Sequence, residues 1–199
     1  MGEDGFPRKY AGSAVVERDS GEQVRLTPME NRVWNLFGQG GPRVIRPEEV
    51  YEAARESMIL FDPNAVHNLI SRIREKMGSR SVLTLSGVGY VWGALIPQIA
   101  ANGVDRGGVY EDTLKILGGD RAAASRIIYD AGDIVSREDL AQQVYGEDKQ
   151  SVKGRLRVVL DDIREKLGTS SVLVFSGEGL MIPSAEFRES VDTAMGIMN

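Results

Sequence analysis

Two stretches of this chain, ninety residues apart, carry the same pattern. Ile73-Arg74-Glu75-Lys76-Met77-Gly78 returns as Ile163-Arg164-Glu165-Lys166-Leu167-Gly168. Ser81-Val82-Leu83 returns as Ser171-Val172-Leu173, Ser86-Gly87-Val88-Gly89 as Ser176-Gly177-Glu178-Gly179, and Val44-Ile45 as Ile134-Val135. Ungapped blocks at one offset imply duplication. A period this long implies two copies of a domain rather than a solenoid unit. A chain of 199 residues is long enough for two ordinary cores.

The first copy is organised around Ala65 to Trp92. Val66, Leu69, Ile70, Ile73 and Met77 recur at helical spacing and form one apolar stripe. Asn64, His67, Asn68, Ser71, Arg72 and Glu75 fall away from it. Gly78 is placed to end the helix. Two short β-prone runs follow, Ser81 to Leu85 and Val88 to Trp92, joined by the Ser86-Gly87 turn. Upstream, Val15-Val16 and Val24-Arg25-Leu26 flank a turn at Asp19-Ser20-Gly21. Thr27-Pro28-Met29-Glu30 has capping-box spacing with proline at the first helical position. That helix should bury Val33, Trp34, Leu36 and Phe37. Pro47-Glu48-Glu49 opens another helix, with Val50, Tyr51 and Ala54 inward, and Asp62-Pro63 caps the long one. A helix followed by a hairpin is the core of a winged helix. The helix can enter a major groove and the hairpin can touch the flanking backbone.

Ser71-Arg72-Ile73-Arg74-Glu75-Lys76-Met77-Gly78, followed by Gly87-Val88-Gly89-Tyr90, resembles the effector domain of the OmpR/PhoB response regulators. The strand pair, "LTP-x-E" and helix from Ala14 onward resemble the start of that domain. The resemblance implies a DNA-binding transcription regulator, double-stranded DNA as partner, and a bacterial or phage source. Carried onto this sequence, the DNA contacts would be Asn64, His67, Asn68, Ser71, Arg72, Arg74 and Lys76 on the helix, with Arg80, Ser86 and Gly87 at the wing. Asparagine can read adenine and arginine can read guanine through bidentate bonds. Family members often carry a basic residue just before GVGY, where Ser86 stands here, so this wing is the weaker element. The resemblance also places an RNA polymerase contact in the loop holding Met58, Ile59, Leu60 and Phe61. The alternative for these four is packing beneath the recognition helix.

The second copy follows the same plan. Thr113 to Leu117 is expected as a short strand. A helix from Arg121 buries Ala124, Ile127 and Ile128. Ser136-Arg137-Glu138-Asp139 starts another, and the recognition-helix equivalent spans about Ser151 to Leu167. Lys149, Lys153, Arg155 and Arg157 crowd its N-terminal end and are the candidate DNA contacts of this copy. Asp161 and Asp162 replace Ser71 and Arg72. Leu180 stands where Tyr90 did, and Glu178 where Val88 did. Ser184 to Asn199 spaces Phe187, Val191, Ala194, Met195 and Met198 as an amphipathic helix. It is expected on the second domain, with a homodimer contact as the alternative.

The resulting expectation is an α+β chain of tandem winged helix-turn-helix domains. Each has a three-helix core, small antiparallel sheets and a C-terminal β-hairpin wing. The boundaries are a flexible N-terminus over 1–13, domain 1 over 14–96, a linker over 97–108, a divergent domain 2 over 109–183, and a tail over 184–199. About thirteen residues precede the first strand, so a regulator lacking a receiver is expected. One chain with two heads could bind a direct repeat.

Composition weighs against other classes. There is no cysteine and a single histidine, which leaves no thiolate or multi-histidine metal site, and no cofactor is expected. No catalytic constellation stands out, so an enzyme is not expected. No apolar run nears the ~20 residues of a membrane helix, and a cytoplasmic location without membrane contact is expected. The net charge is −5. Residues 14–96 are neutral overall, whereas 105–183 carry a net −3. Since phosphate affinity comes mostly from lysine and arginine, DNA reading falls mainly to the first helix, about 64–77, and its wing. The acidic second half keeps a rival open: a protein-interaction scaffold of tandem winged helices, similar to bacterial condensin subunits or binding RNA polymerase.

Overall fold

The computed structural model describes residues 14–18, 21–39, 41–55, 62–100, 114–146 and 149–196. The first module opens with the hairpin β1 (Ala14–Glu17) and β2 (Gln23–Leu26). Helix α1 (Pro28–Phe37) starts at a capping box in which Thr27 and Glu30 satisfy each other's backbone N–H. Helix α2 (Pro47–Ala54) follows, then α3 (Pro63–Met77), whose N-terminus is capped by the Asp62 carboxylate accepting from Asn64 N–H. The wing is β3 (Val82–Leu85) and β4 (Gly89–Trp92). Val66, Leu69, Ile70 and Ile73 are fully buried beneath α3, against Leu26, Val33, Val50, Val82 and Tyr90.

A short helix α4 (Ile96–Ile99) leaves the first module. Residues 114–117 are helical, not a strand. Leu114 and Leu117 are buried while Lys115 and Ile116 are exposed, which is helical rather than alternating periodicity. Helices α5 (Gly119–Ala131), α6 (Arg137–Tyr145) and α7 (Lys149–Leu167) then enclose Ala124, Ile128, Leu140, Leu156, Leu160 and Ile163. The hairpin β5 (Leu173–Phe175) and β6 (Gly179–Met181) and the helix α8 (Ala185–Ala194) complete the described chain.

Local hydrogen bonds repeat at the offset of ninety. Ile45 and Tyr90 exchange two backbone bonds of 2.8 Å, and so do Val135 and Leu180. Gly78 N–H donates to Arg74 O at 2.8 Å, as Gly168 N–H does to Arg164 O at 2.9 Å. The repeated glycine has a reason in this bridge. A Cβ at Gly89 would run into the carbonyl oxygen of Ile45, and one at Gly179 into that of Val135. Only glycine lets the crossing chain come so close.

The two hairpins do not stand apart. They join into one four-stranded antiparallel sheet of order β4-β3-β5-β6. Leu85 lies opposite Phe175, Ser86 N–H donates to Val174 O at 2.9 Å, and Ser176 N–H donates to Thr84 O at 2.9 Å. These two bonds are the same bond at the ninety-residue offset, so a local dyad passes between Leu85 and Phe175. Alternation then sorts the side chains. Val82, Tyr90, Val172 and Leu180 face the two helical bundles. Leu83, Leu85, Val91, Leu173, Phe175 and Met181 face the other way. There they meet Ile96 and Ile99 of α4 and Phe187 and Val191 of α8 in a third core shared by both halves.

Three arrangements accompany this third core. Residues 97–100 begin no free linker: Ile99 and Ala100 are buried, and Ala100 bridges to Pro183. The C-terminal helix covers the junction rather than the second module alone, and Ser190 Oγ accepts from Val44 N–H at 3.2 Å. A local dyad, not a translation, relates the two hairpins. Antiparallel pairing of equivalent strands turns one half by a half-turn relative to the other.

Candidate nucleic-acid interface

Helix α3 buries its stripe completely, so its remaining face is held at the surface. Asn64, His67, Asn68 and Arg72 are exposed and Ser71 is half-buried. Among the described residues, the side chains of Asn64, His67, Asn68 and Arg72 make no hydrogen bond or ion pair. These are donors and acceptors on a rigid helix, spaced by three and four residues so that they share one side.

The other predicted cations are engaged inside the protein. Arg74 turns back along α3 onto the wing. Its Nε donates to Val82 O at 2.6 Å and its terminal nitrogen to Thr84 Oγ1 at 2.7 Å. Burial lowers the Arg74 pKa and raises that of the neighbouring Tyr90 hydroxyl. Lys76 Nζ lies 2.7 Å from Glu30 Oε2, whose side chain is only 2% exposed. Burial would raise the Glu30 carboxyl, but hydrogen bonds from Lys76 and Thr27 outweigh it and hold the group below its ordinary value. Arg18 from the first hairpin donates to the Lys76 and Glu75 carbonyls at the C-terminus of α3, where a cation favours the helix dipole.

The wing is likewise occupied. Arg80 pairs across the junction with Asp133 and Glu178, each at 3.4 Å. The backbone N–H of Ser86 is used by Val174, while the Ser86 side chain and Gly87 remain exposed at the tip. Ser86 also borders a cleft of about 740 Å³ formed with Arg137, Arg157, Asp161, Arg164 and Glu178. The wing of the first module thus lies beside the long helix of the second.

On α7, Arg164 repeats the clasp of Arg74, donating to Val172 O at 2.7 Å. Asp162 is held by Arg121, and Asp161 lies 3.7 Å from Arg157. The two carboxylates that replace Ser71 and Arg72 are therefore each matched by an arginine. Arg155 stacks over the Tyr145 ring at 4.5 Å. Arg157 keeps 85% of its side chain exposed. Lys149 and Lys153 lie on the first turns of α7, but their side chains are outside the described residues, as are Met58, Ile59, Leu60 and Phe61.

Two features of α7 were missed from sequence. Val158 is 59% exposed beside Arg157, an apolar side chain off the buried stripe. Its only sequence signal is the doublet Val158-Val159, of which one member had to face outward. Arg121 as partner of Asp162 joins residues 41 apart and has no local signature.

A buried-stripe helix followed by a hairpin wing, with an exposed polar row on the helix, defines a winged helix-turn-helix domain. Residues 21–92 match the family model described as "Transcriptional regulatory protein, C terminal". The first module is thus similar to the OmpR/PhoB-like effector domains, which are DNA-binding and act in transcription regulation. No curated protein and no solved structure matches the chain. Among the described residues no group of side chains is placed to hold a metal ion, and no helix is long and apolar enough to cross a membrane.

Proposed function

We propose that the chain is a sequence-specific, double-stranded-DNA-binding transcription regulator that reads bases mainly with the outer face of α3. The observation that carries this reading is the exposed row Asn64, His67, Asn68 and Arg72, seated on a fully buried stripe within the residues that match the family model. Asn68 and Arg72 are four apart on one side of the helix and suit adenine and guanine edges. Ser71 borders this row. Arg74, Lys76 and Arg80 act by holding α3, the wing and the junction in place, so the reading rests less on them. Ser86 and Gly87 at the wing tip are left for backbone contact.

Residues 114–182 form, in this reading, a second and divergent winged helix. The repeated Ile45/Tyr90 and Val135/Leu180 bridges and the paired Arg74 and Arg164 clasps support it. A DNA target implies a cytoplasmic protein, and the resemblance makes RNA polymerase a partner through Met58 to Phe61. The test is a comparison of paired substitutions on selected duplex DNA. Asn68→Ala with Arg72→Ala should weaken specific binding by about a hundredfold, as loss of two base contacts implies. Arg155→Ala with Arg157→Ala should cost much less. Binding that is weak, insensitive to sequence and abolished by moderate salt in the unaltered protein would favour the protein-interaction scaffold instead.

A further inference from the structure

We infer that the chain is a covalently closed, head-to-head pair of readers whose DNA site is an inverted repeat with unequal halves. The inference rests on the DNA-reading proposal above and adds the arrangement of the site. It starts from the junction. Ser86 N–H to Val174 O and Ser176 N–H to Thr84 O are reciprocal bonds of equal length, 2.9 Å. Leu85 and Phe175 face each other between them and are 2% and 1% exposed. Residue i meets j+90 and j meets i+90, which is the contact pattern of a two-fold interface. In an antiparallel pair the dyad stands normal to the sheet, because opposed residues share a face.

Both helical bundles pack on the same face of this sheet, through Val82 and Tyr90 on one side of the dyad and Val172 and Leu180 on the other. The opposite face is closed by α4 and α8. Helices α3 and α7 are consequently presented to the same side and run in opposite senses about the dyad. A duplex has dyads of its own normal to its axis. A two-fold pair of helices meets equivalent groove edges only when the two half-sites point in opposite directions. Half-site centres about one helical turn apart, roughly 10 bp, or a multiple of it, keep both on one face of the duplex.

The halves of the site differ because the dyad holds for backbone and not for side chains. Where α3 presents His67, Asn68, Ser71 and Arg72, α7 presents Arg157, Val158, Asp161 and Asp162. Arg157 suits guanine, and the exposed Val158 suits a thymine methyl. The junction is one-sided as well. Arg80 pairs with Glu178 and Asp133, whereas the dyad-related positions are Ser170, Val88 and Arg43, which form no such pairs among the described residues. The pairing therefore specifies one half against the other within a chain.

The experiment is enrichment of duplexes from a random-sequence pool by the full chain at near-physiological salt. The recovered motif is then probed with one half-site reversed or scrambled. The inference expects two inverted half-sites, one more information-rich than the other, with at least about a tenfold loss on reversing either half, as loss of a base contact implies. A direct repeat, or a single half-site indifferent to its neighbour, overturns the head-to-head arrangement while the DNA-reading proposal stands. No enriched motif overturns both.

Discussion

Lys76 lies on α3, yet its ammonium serves a carboxylate on α1. Glu30 is almost wholly buried, and Lys76 is a third exposed. Removing the lysine leaves a buried, unpaired charge, which costs about 3–5 kcal/mol for a fully buried pair and about 2 kcal/mol when solvent reaches one partner. Lys76→Met should therefore lower stability by about 2 kcal/mol in urea denaturation. Its phosphate affinity should change little once folded samples are compared. A variant as stable as the parent but unable to bind DNA would return Lys76 to the interface. The carboxyl also predicts a pH response. Glu30 is held below its ordinary value near 4.5. Its contribution is present above that value and lost as pH falls through the folded-state pKa. Glu30→Gln should thus show a shallower loss of stability on acidification below about pH 4.5. An acid limb identical to the parent's would remove this account.

At the scale of elements, the crossing of the 44–45 and 134–135 segments over the wings depends on a glycine in each hairpin. Gly89→Ala should destabilise by about 1–3 kcal/mol, the usual cost of overpacking, because the obstacle is a backbone carbonyl that cannot rotate away. A thermal midpoint unchanged from the parent's would show that the Ile45 bridge gives way freely. Most elements were legible in the sequence. Thr27, Asp62 and Ser136 announce helix starts through their own side-chain bonds. The α3 stripe, Gly78 and the hairpin turns are local signals of the same kind. The site was less so. Arg74 and Lys76, expected as DNA contacts, have partners within the protein, and from sequence a cation that folds back is locally indistinguishable from one that faces outward. A signal did exist: Arg74 and Lys76 recur as Arg164 and Lys166, while Ser71 and Arg72 do not recur. On this helix the two arginines kept between the repeats, Arg74 and Arg164, both clasp the following strand. The strand expected over Thr113 to Leu117 was misread, since residues 114–117 are helical and five residues are too few to separate the two periodicities.

On the scale of the whole molecule, the shared sheet makes the two halves one body. Its signal was that Val82-Leu83 and Val172-Leu173 are apolar on successive positions, so each wing has two buried faces. Which strand covers the second face is a long-range pairing that no local pattern encodes. Both tryptophans, Trp34 and Trp92, lie in the first module in edge-to-face contact with centroids 6.1 Å apart. Their fluorescence reports the first module and, through Trp92, its contact with the shared core, whereas circular dichroism reports the whole helix content. The two signals should share a single denaturation midpoint. Phe175→Ala, in the other half, should lower the fluorescence midpoint, since removing a buried phenylalanine costs about 3–5 kcal/mol. Two separate midpoints, or tryptophans blind to Phe175→Ala, would show halves that fold independently. On the function proposed above, the strand-to-strand seam at Leu85 and Phe175 has a consequence for gene control. A repressor or activator assembled from two subunits must first find its mate, so its occupancy rises steeply with expression level. For the regulator proposed above, the mate is already attached. Occupancy then follows the first power of protein concentration, with a graded response and no threshold. In that proposal each half is encoded separately within one gene, so the bases preferred on one side could drift without altering those on the other.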